Sequence, residues 1–432
     1  MLMLKKIIQL MLRWCAIRIL RKYQPRVVAV TGSVGKTSTV QAIYAVVEGS
    51  FSVRKNLKNY NNEFGIPLSI IGAEAGRRSP IRWLGIFLQA LSLILVRSRS
   101  YPQLLVLEMG ADHPGDIKYL TSFVPIDVAV VTNVAPAHTE YFKSIEGVAK
   151  EKGTVVSAVK KNGFSVLNSD DDWVVAMRQR GKGSIVMFGL QPTADVRASS
   201  IAISHDVEYQ DISTIQGISF KLHYQGSTTP VLLPRVLGEH LVYTALAAAA
   251  VGLVLGVNPH TIADRLKQFE PPKGRMHVIT GIKQTLIIDD SYNSSPLAAR
   301  KALYQLQKIS VVPGAKKYAV LGDMRELGSY TEAAHREIGQ AAFEYGADCL
   351  VTVGEIARDI IRGAVEQGMS LEQCFSFMDS ESAGRFLQDR IRSGDVLLVK
   401  GSQAVRMEKI VKELMAEPQR AAELLVRQDE GW

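Results

Sequence analysis

Short apolar runs rich in β-branched residues recur from Arg26 onward, and stretches with helical spacing separate them. Runs of this length that alternate with helices are typical of sheets with mainly parallel strands. The pattern therefore predicts an α/β fold, with a second, Rossmann-like doubly wound unit in the C-terminal part of the chain. The predicted strands are Val27–Thr31, Leu104–Met109, Val128–Thr132, Leu286–Asp289, Tyr318–Leu321, Leu350–Val353 and Val396–Val399.

Two interruptions divide this pattern. Between about 194 and 235 it changes to alternating, turn-bounded segments, which predict an antiparallel edge or subdomain. The run 269–275 contains two prolines and a glycine, which favour a linker. We therefore predict a basic apolar helix over 1–25, a central domain over 26–273 with an apolar insertion at 77–99, and a C-terminal domain over 274–432.

The charge of the chain is concentrated at one end. Residues 1–26 contain seven cations and no acid, which leaves +2 of the net +9 for the other 406 residues. A basic tail on a near-neutral body argues against nucleic acid as a partner. The three cysteines are far apart and form no CxxC, which favours a reducing, cytoplasmic location and argues against a cysteine-ligated metal.

Two basic and apolar segments raise the question of membrane contact. The apolar stretch 7–12 is too short for a secretory signal and Arg13 interrupts it. The segment 1–24 lacks the about 20 apolar residues that a membrane span needs, and 81–97 is too short for one. For 1–24 the alternatives are a helix on an anionic membrane and a helix docked on the protein itself. For 81–97 they are a buried helix or hairpin and a segment that dips into the bilayer. Peripheral association with the inner membrane face therefore stays open.

The strongest local motif is a glycine-rich loop between a predicted strand and a helix that begins near Lys36. Backbone N–H groups and the positive helix end of such a turn bind phosphate, a lysine here reaches the β- and γ-phosphates, and the hydroxyl of Thr37 binds Mg²⁺. The general pattern has glycine five places before Gly35, where this chain has Val30. The alternative is a tight turn that binds no ligand. The predicted phosphate-binding residues are Gly32, Ser33, Val34, Gly35, Lys36, Thr37 and Ser38.

Two further residues lie at the ends of predicted strands. Glu108 ends the strand beside the loop, where a Mg²⁺ ligand belongs, although a surface acid is an equal alternative there. His138 follows the strand 128–132, and a lone loop histidine is more often a surface residue than a ligand.

Several motifs in order resemble the Mur ligase family over about residues 26 to 415. The resemblance implies an ATP-dependent ligase of cell-wall (peptidoglycan) biosynthesis that forms an amide bond through an acyl phosphate. It implies a small-molecule or lipid-linked muramoyl-peptide as one substrate and D-alanyl-D-alanine or a similar amine as the other. The motifs are 31–38, 61–68, 108–115, 133–138, 288–296, 321–328 and 400–402.

The resemblance also implies roles for single residues. Lys36, Glu108, His138 and Lys152 would be catalytic, and two Mg²⁺ ions would lie near Thr37, Glu108, His138 and a carbamylated Lys152, for which a plain surface lysine is the alternative. Beyond the glycine loop, the implied nucleotide contacts are Asn62, Arg275, Asp290 and Asn293. The implied contacts of the amino substrate are Asp323, Arg325, Glu326, Lys400, Gly401 and Ser402.

The sequence departs from the family in two places. Leu241 and Thr244 stand where the family usually has asparagines near the nucleotide. Only about 25 residues precede Arg26, whereas family members have a UDP-binding domain there, so the UDP contact would be absent or come from a partner. Two alternatives follow: a folate or poly-amino-acid ligase of the same fold, and a non-ligase, membrane-associated ATPase.

Overall fold

The computed structural model describes residues 2–56, 60–76, 79–135, 139–142, 144–205 and 215–428. The chain divides into two compact units. The first comprises Met1–Ile201, Phe220–Val231 and His240–Glu270, and the second comprises Ala202–Ser219, Leu232–Glu239 and Pro271–Trp432.

The first sheet of the described chain has nine strands in the order β2-β3-β1-β4-β5-β6-β7-β8-β9. From β2 to β7 every neighbouring pair is parallel. A two-residue turn at Gln225 and Gly226, both with positive φ, joins the last two strands as in a hairpin. The strands are β1 (Arg26–Thr31), β2 (Val53–Lys55), β3 (Leu104–Glu108), β4 (Ile126–Val131), β5 (Val159–Asn168), β6 (Ser184–Gly189), β7 (Val196–His205), β8 (Ile215–Tyr224) and β9 (Ser227–Pro234).

The second sheet has the order β10-β11-β15-β12-β13-β14, in which β10 is antiparallel to β11 and the other pairs are parallel. Hydrophobic clusters lie on both of its faces, as in a doubly wound sheet. Its strands are β10 (His277–Thr280), β11 (Leu286–Asp290), β12 (Lys317–Gly322), β13 (Cys349–Val353), β14 (Cys374–Phe377) and β15 (Val396–Lys400).

Helices connect most of these strands. In chain order the first eleven are α1 (Leu2–Tyr23), α2 (Lys36–Val47), α3 (Gly65–Ile71), α4 (Pro80–Leu95), α5 (Asp116–Thr121), α6 (Thr139–Phe142), α7 (Ile145–Lys152), α8 (Thr154–Ser157), α9 (Asp172–Val175), α10 (Glu239–Val254) and α11 (Pro259–Leu266). The remaining helices are α12 (Pro296–Lys308), α13 (Thr331–Glu344), α14 (Arg358–Gln367), α15 (Ser380–Arg390), α16 (Glu408–Leu414) and α17 (Ala421–Leu424).

The predicted α/β class and all seven predicted strands are confirmed, with ends that differ by at most two residues. The central strands are easy to predict because they are buried on both faces. Five consecutive residues of β1, for example, are fully buried, and the first four of them form one continuous apolar run.

The two basic and apolar segments both form helices of the first unit. α1 buries one face, including Leu12, Ala16 and Ile19. Through that face it docks on the protein itself, which is one of the two alternatives for this segment. The alternative of a buried helix at 81–97 is wrong, because α4 buries only Ile86 and Ala90. Among the helices that the structure describes, none has both the length and the apolar composition to cross a bilayer.

Candidate active site

The glycine loop follows β1 directly and ends where α2 begins. Gly32 has φ of 152° and Gly35 has φ of 82°, a region that side chains with a Cβ rarely adopt. A Cβ on Gly32 would lie 1.9 Å from Oγ1 of Thr132. Both glycines are therefore required by the path of the loop, which brings its backbone against β4 and opens at the N-terminal end of a 12-residue helix.

The residues that follow β4 form hydrogen bonds with the glycine loop. Oδ1 of Asn133 accepts a hydrogen bond from the Val34 N–H (2.8 Å), and its Nδ2 donates to the Val34 carbonyl (3.1 Å). The Ser33 hydroxyl donates to the Ala135 carbonyl at 3.0 Å. Asn133 thus fixes the shape of the loop. It belongs to one of the sequence motifs, but the motif alone does not indicate this role.

Two lysines converge on one carbonyl of the loop. Nζ of Lys36 lies 2.9 Å from the Gly32 oxygen, and Nζ of Lys152 lies 3.0 Å from the same oxygen. Lys36 is partly exposed, whereas Lys152 is 5% exposed. Two ammonium groups this close repel each other, so the position favours an anion between them or the loss of one charge.

The pKa of Lys152 is lowered to about 7. Burial is the largest cause, and the positive charge of Lys36 adds to it, while Glu151 and Asp112 oppose it. Glu151 accepts hydrogen bonds from the N–H groups of Gly115 and Ile117, which fixes this carboxylate. Near neutral pH much of the Lys152 amine is therefore uncharged and nucleophilic.

A hydroxyl and a carboxylate meet beside the loop. The Thr37 hydroxyl donates to Oε2 of Glu108 at 2.8 Å, and Nδ2 of Asn61 donates to Oε1 at 3.0 Å. Asn56 holds the backbone of Glu108 on both its N–H and its carbonyl. Glu108 is buried, so the alternative of a plain surface acid does not describe it.

Two predicted site residues have other outcomes. The amide that reaches Glu108 is that of Asn61, whereas Oδ1 of Asn62 accepts from the N–H groups of Phe64 and Gly65 at the start of α3. Adjacent asparagines in an irregular segment point in different directions, and a sequence motif does not show which of the two points toward Glu108. His138 lies outside the described residues.

The oxygen donors fit Mg²⁺. Mg²⁺ prefers one or two protein oxygens and takes its other ligands from phosphate and water, so a hydroxyl and a carboxylate beside a phosphate-binding loop form a suitable set. Among the described residues no group of three or more histidine, cysteine, aspartate or glutamate side chains would hold a metal by itself.

In the second unit, Lys400, a predicted contact of the amino substrate, forms an ion pair with Asp290, a predicted contact of the nucleotide. Nζ of Lys400, at the end of β15, lies 2.6 Å from Oδ2 of Asp290 and 2.9 Å from the carbonyl oxygen of Asn293. Lys400 is 3% exposed. The loop after β11 is thus tied to the end of β15, its parallel neighbour.

The base of the same loop is also charged and buried. Burial raises the pKa of Asp289 to about 6, and its Oδ1 accepts from the Ser291 N–H. Arg427 donates to the Ser291 carbonyl (2.7 Å) and to the buried Glu408 (2.7 Å). The guanidinium of Arg275, the predicted linker arginine, lies 4.5 Å from the ring centre of Tyr292. These contacts define the path of the loop that carries Asp290.

A cavity of about 230 Å³ opens at the ends of β12 to β14 and near β15. Asp323 and Arg325, which the family resemblance assigns to the amino substrate, line it, and the Asp323 carboxylate accepts from the Ala357 N–H. Ser402 holds both through bonds to the Asp323 carbonyl and the Arg325 N–H. Gly401 approaches Gly322 so closely that a Cβ would lie 3.0 Å from the Gly322 Cα.

The cavity also has charged residues that sequence reasoning missed. Asp379, Glu381, Arg406 and Lys409 line it, so carboxylates and cations face the same space. They come from the start of α15 and from the residues around the start of α16, which no predicted motif covers. Glu326 is exposed, with φ of 65°, and lies outside this lining.

A glycine loop between a parallel strand and a helix, with a threonine–carboxylate pair beside it, is the arrangement typical of P-loop nucleotide-dependent enzymes. Family models match the Mur ligase middle domain over residues 88–252 and the Mur ligase, glutamate ligase domain over residues 274–403. The chain belongs to the Mur ligase family. This confirms the predicted class, an ATP-dependent ligase that forms a C–N bond.

Two relatives illustrate the similarity in sequence. The chain is 31% identical over 395 residues to the UDP-N-acetylmuramoyl-tripeptide--D-alanyl-D-alanine ligase of Escherichia coli K12, covering 90% of this chain and 76% of that protein. It is 32% identical over 410 residues to the ligase of the same name from Mycobacterium tuberculosis, covering 90% and 73%.

Solved structures agree with this family. The MurF ligase of Thermotoga maritima in complex with ADP matches with a TM-score of 0.74 at 27% identity, covering 95% of this chain and 84% of that one. A MurF from Acinetobacter baumannii also has a TM-score of 0.74 at 27% identity, covering 93% and 79%. Folylpolyglutamate synthase of Mycobacterium tuberculosis, at 13% identity and a TM-score of 0.62, shares the fold alone.

Proposed function

We propose that this enzyme joins D-alanyl-D-alanine, or a closely similar amine, to the free carboxyl group of a muramoyl-peptide cell-wall precursor, with ATP converted to ADP and phosphate. The observation that carries the proposal is the convergence of Lys36 and Lys152 on one loop carbonyl beside the Thr37–Glu108 pair. The relatives with about 30% identity over nine tenths of the chain support the choice of substrates.

The first step activates the carboxyl group. A carboxylate oxygen of the muramoyl-peptide attacks the γ-phosphorus of ATP, the bond to the β–γ bridging oxygen breaks, and ADP leaves. Lys36, at the start of α2, neutralises the oxygens on which charge accumulates, together with the loop N–H groups. Mg²⁺, held by Thr37 and Glu108, supplies further charge neutralisation when it is bound.

The second step forms the amide. The free amine of the incoming substrate attacks the carbonyl carbon of the acyl phosphate, the C–O bond to phosphate breaks, and the nitrogen loses a proton. An amine with a carboxylate of its own carries both charges. The cavity at Asp323 and Arg325, lined by both carboxylates and cations, has matching groups for a zwitterion.

We assign to Lys152 a carbamate formed from CO₂. The ammonium group first loses a proton; the neutral amine then attacks the carbon of CO₂ and releases a second proton, which gives an anion with two oxygens. The lowered pKa of Lys152 supplies the neutral amine, and the neighbouring Lys36 would stabilise the product anion. Asn62, His138, Arg275, Asp290 and Asn293 keep their predicted roles around the nucleotide as part of this proposal.

An isotope experiment tests the acyl phosphate step. Muramoyl-tripeptide labelled with ¹⁸O in its free carboxyl group is offered with ATP, Mg²⁺ and D-alanyl-D-alanine, and the released phosphate is examined by mass spectrometry. We expect one ¹⁸O atom in each phosphate. Unlabelled phosphate that is released without amide product would instead support the ATPase alternative, and glutamate addition to folate would support the other one.

A further inference from the structure

The outer face of α1 is apolar along half its length. Ile7, Leu10, Met11 and Trp14 are all exposed, with Trp14 half exposed, and their spacing of three and four residues places them in one stripe. The opposite face of the helix is buried in the core of the first unit. The exposed stripe is therefore separate from the face through which α1 packs on the protein.

A second stripe runs along α4. Its exposed aliphatic residues again follow a spacing of three and four, and Ile81 is 82% exposed. Five large aliphatic side chains in one line on a water-facing helix are unusual for a protein that works alone in solution. They are Ile81, Leu84, Leu88, Leu91 and Leu95.

The two stripes belong to one surface. The C-terminal ends of the helices are joined, because Nζ of Lys22 donates to the carbonyls of Leu93 and Ile94 and the Tyr23 hydroxyl donates to that of Leu93. An apolar groove of about 430 Å³ lies between them. Its lining includes Leu10, Met11 and Trp14 from one stripe and Leu91 from the other. We call the two stripes and this groove the apolar face.

Only positive charges accompany the apolar face in sequence. The chain has no acid from residue 1 to 47 and none from 75 to 107. Arg18 and Arg21 continue the stripe of α1 at its C-terminal end, since they follow Trp14 at helical spacing. Among the described residues of α1, of α4 and of the turn after α4, the other exposed cations are Lys5, Lys6, Arg82, Arg97 and Arg99.

We propose that the apolar face docks on the surface of a bilayer rich in anionic phospholipid. Aliphatic residues and a tryptophan that lie between cations match the boundary between acyl chains and negative headgroups. A second copy of the chain is a poorer occupant, because a two-fold contact through this face would bring like charges together without acids to pair them. The docking concerns the first unit and is independent of which substrates the enzyme joins.

Vesicle binding of the full-length protein tests this proposal. Vesicles of phosphatidylglycerol and phosphatidylcholine should sediment the protein at least tenfold more strongly than vesicles of phosphatidylcholine alone, and added salt should weaken this binding. Leu88→Ser combined with Leu91→Ser should reduce binding by about tenfold or more, because both side chains lose their transfer into the bilayer. Leu371→Ser, which alters an exposed leucine of the second unit, is the matched control and should bind like the unaltered protein.

The charge component has its own pair of variants. Arg18→Gln with Arg21→Gln should lower binding about tenfold or more, whereas Lys161→Gln with Lys182→Gln, at exposed positions elsewhere in the first unit, should leave it unchanged. Circular dichroism and thermal unfolding establish that each variant is folded. Brominated lipid should quench the fluorescence of the unaltered protein more than that of Trp14→Phe.

Three results would overturn the proposal. The first is an absence of sedimentation with anionic vesicles. The second is equal binding by the face variants and their controls. The third is a dimer in light scattering that the Leu88→Ser and Leu91→Ser variant loses, because that result would assign the face to a second copy of the chain.

Discussion

The Thr37 hydroxyl donates a 2.8 Å hydrogen bond to Oε2 of Glu108, although 71 positions separate the two residues in the chain. They meet because β1 and β3 are parallel neighbours, with Val30 opposite Glu108. Parallel strands end at the same edge of a sheet, so the strand order brings the carboxylate to the glycine loop.

Thr37→Val tests the proposed role of this pair in Mg²⁺ binding. Valine has nearly the shape of threonine but offers no oxygen, so we expect the Mg²⁺ concentration for half-maximal turnover to rise about 10- to 100-fold, as is typical when groups that support a metal are removed. The measurement is a Mg²⁺ titration of ADP formation. Thr37→Ser keeps the oxygen and should remain within a few-fold of the original enzyme. Equal Mg²⁺ dependence in all three proteins would contradict the assignment.

Carbamylation of Lys152 predicts that activity depends on CO₂. Buffers purged of CO₂ should inactivate the enzyme, and bicarbonate should restore it. At constant dissolved CO₂, reactivation should be roughly tenfold faster at pH 8 than at pH 6, because a larger fraction of an amine with a pKa of about 7 is neutral at the higher pH.

Lys152→Arg is the control for that experiment. Arginine keeps the positive charge but does not form a carbamate at neutral pH, so this variant should be inactive with and without bicarbonate. A carbamate signal in ¹³C NMR after labelling with ¹³C-bicarbonate should be present in the original protein and absent in the variant. Full activity of Lys152→Arg would contradict the carbamate.

Much of this architecture can be predicted from the sequence. The physical reasons for this also explain which features cannot be predicted. The strands are readable because burial on both faces makes them continuous apolar runs, as in β1. The glycine loop is readable because two of its positions require positive φ. Contacts that depend on side-chain direction are not readable in this way. Neither the choice of Asn61 over Asn62 at Glu108 nor the pairing of Lys400 with Asp290 follows from spacing. The exposure of α4 could not be predicted either, because an apolar helix has the same composition in a core and on a surface.

Asp289 predicts a specific dependence of stability on pH. Burial raises its pKa to about 6, from 3.8, so the folded state holds a proton between pH 4 and 6 that the unfolded state has lost. The free energy of unfolding should therefore fall as pH rises through this range, by at most about 3 kcal/mol. Asp289→Asn stays neutral and should be about 1–3 kcal/mol more stable than the original at pH 7.5. Urea unfolding at several pH values measures both, with the exposed Asp389→Asn as a control that should match the original.

Lys400→Met leaves Asp290 without its partner in a site where the lysine is 3% exposed. Removing one member of a buried ion pair typically costs about 3–5 kcal/mol, so we expect a loss near the lower end of that range in urea unfolding. Adding Asp290→Asn should recover part of the loss. The exposed pair of Lys267 and Asp264 provides the comparison, because Lys267→Met should cost less than about 1 kcal/mol. Equal losses in the two lysine variants would contradict the importance of burial.

The most direct test of the proposed function is the product itself. Purified protein is incubated with ATP, Mg²⁺ and UDP-muramoyl-tripeptide, or its lipid-linked form, with and without D-alanyl-D-alanine, and the products are identified by mass spectrometry. We expect a pentapeptide product with one ADP for each amide formed, and no product from Lys36→Ala, which removes the cation at the glycine loop. ADP formation without an amide from any of these donors would contradict this expectation, as would pentapeptide formed equally well by Lys36→Ala.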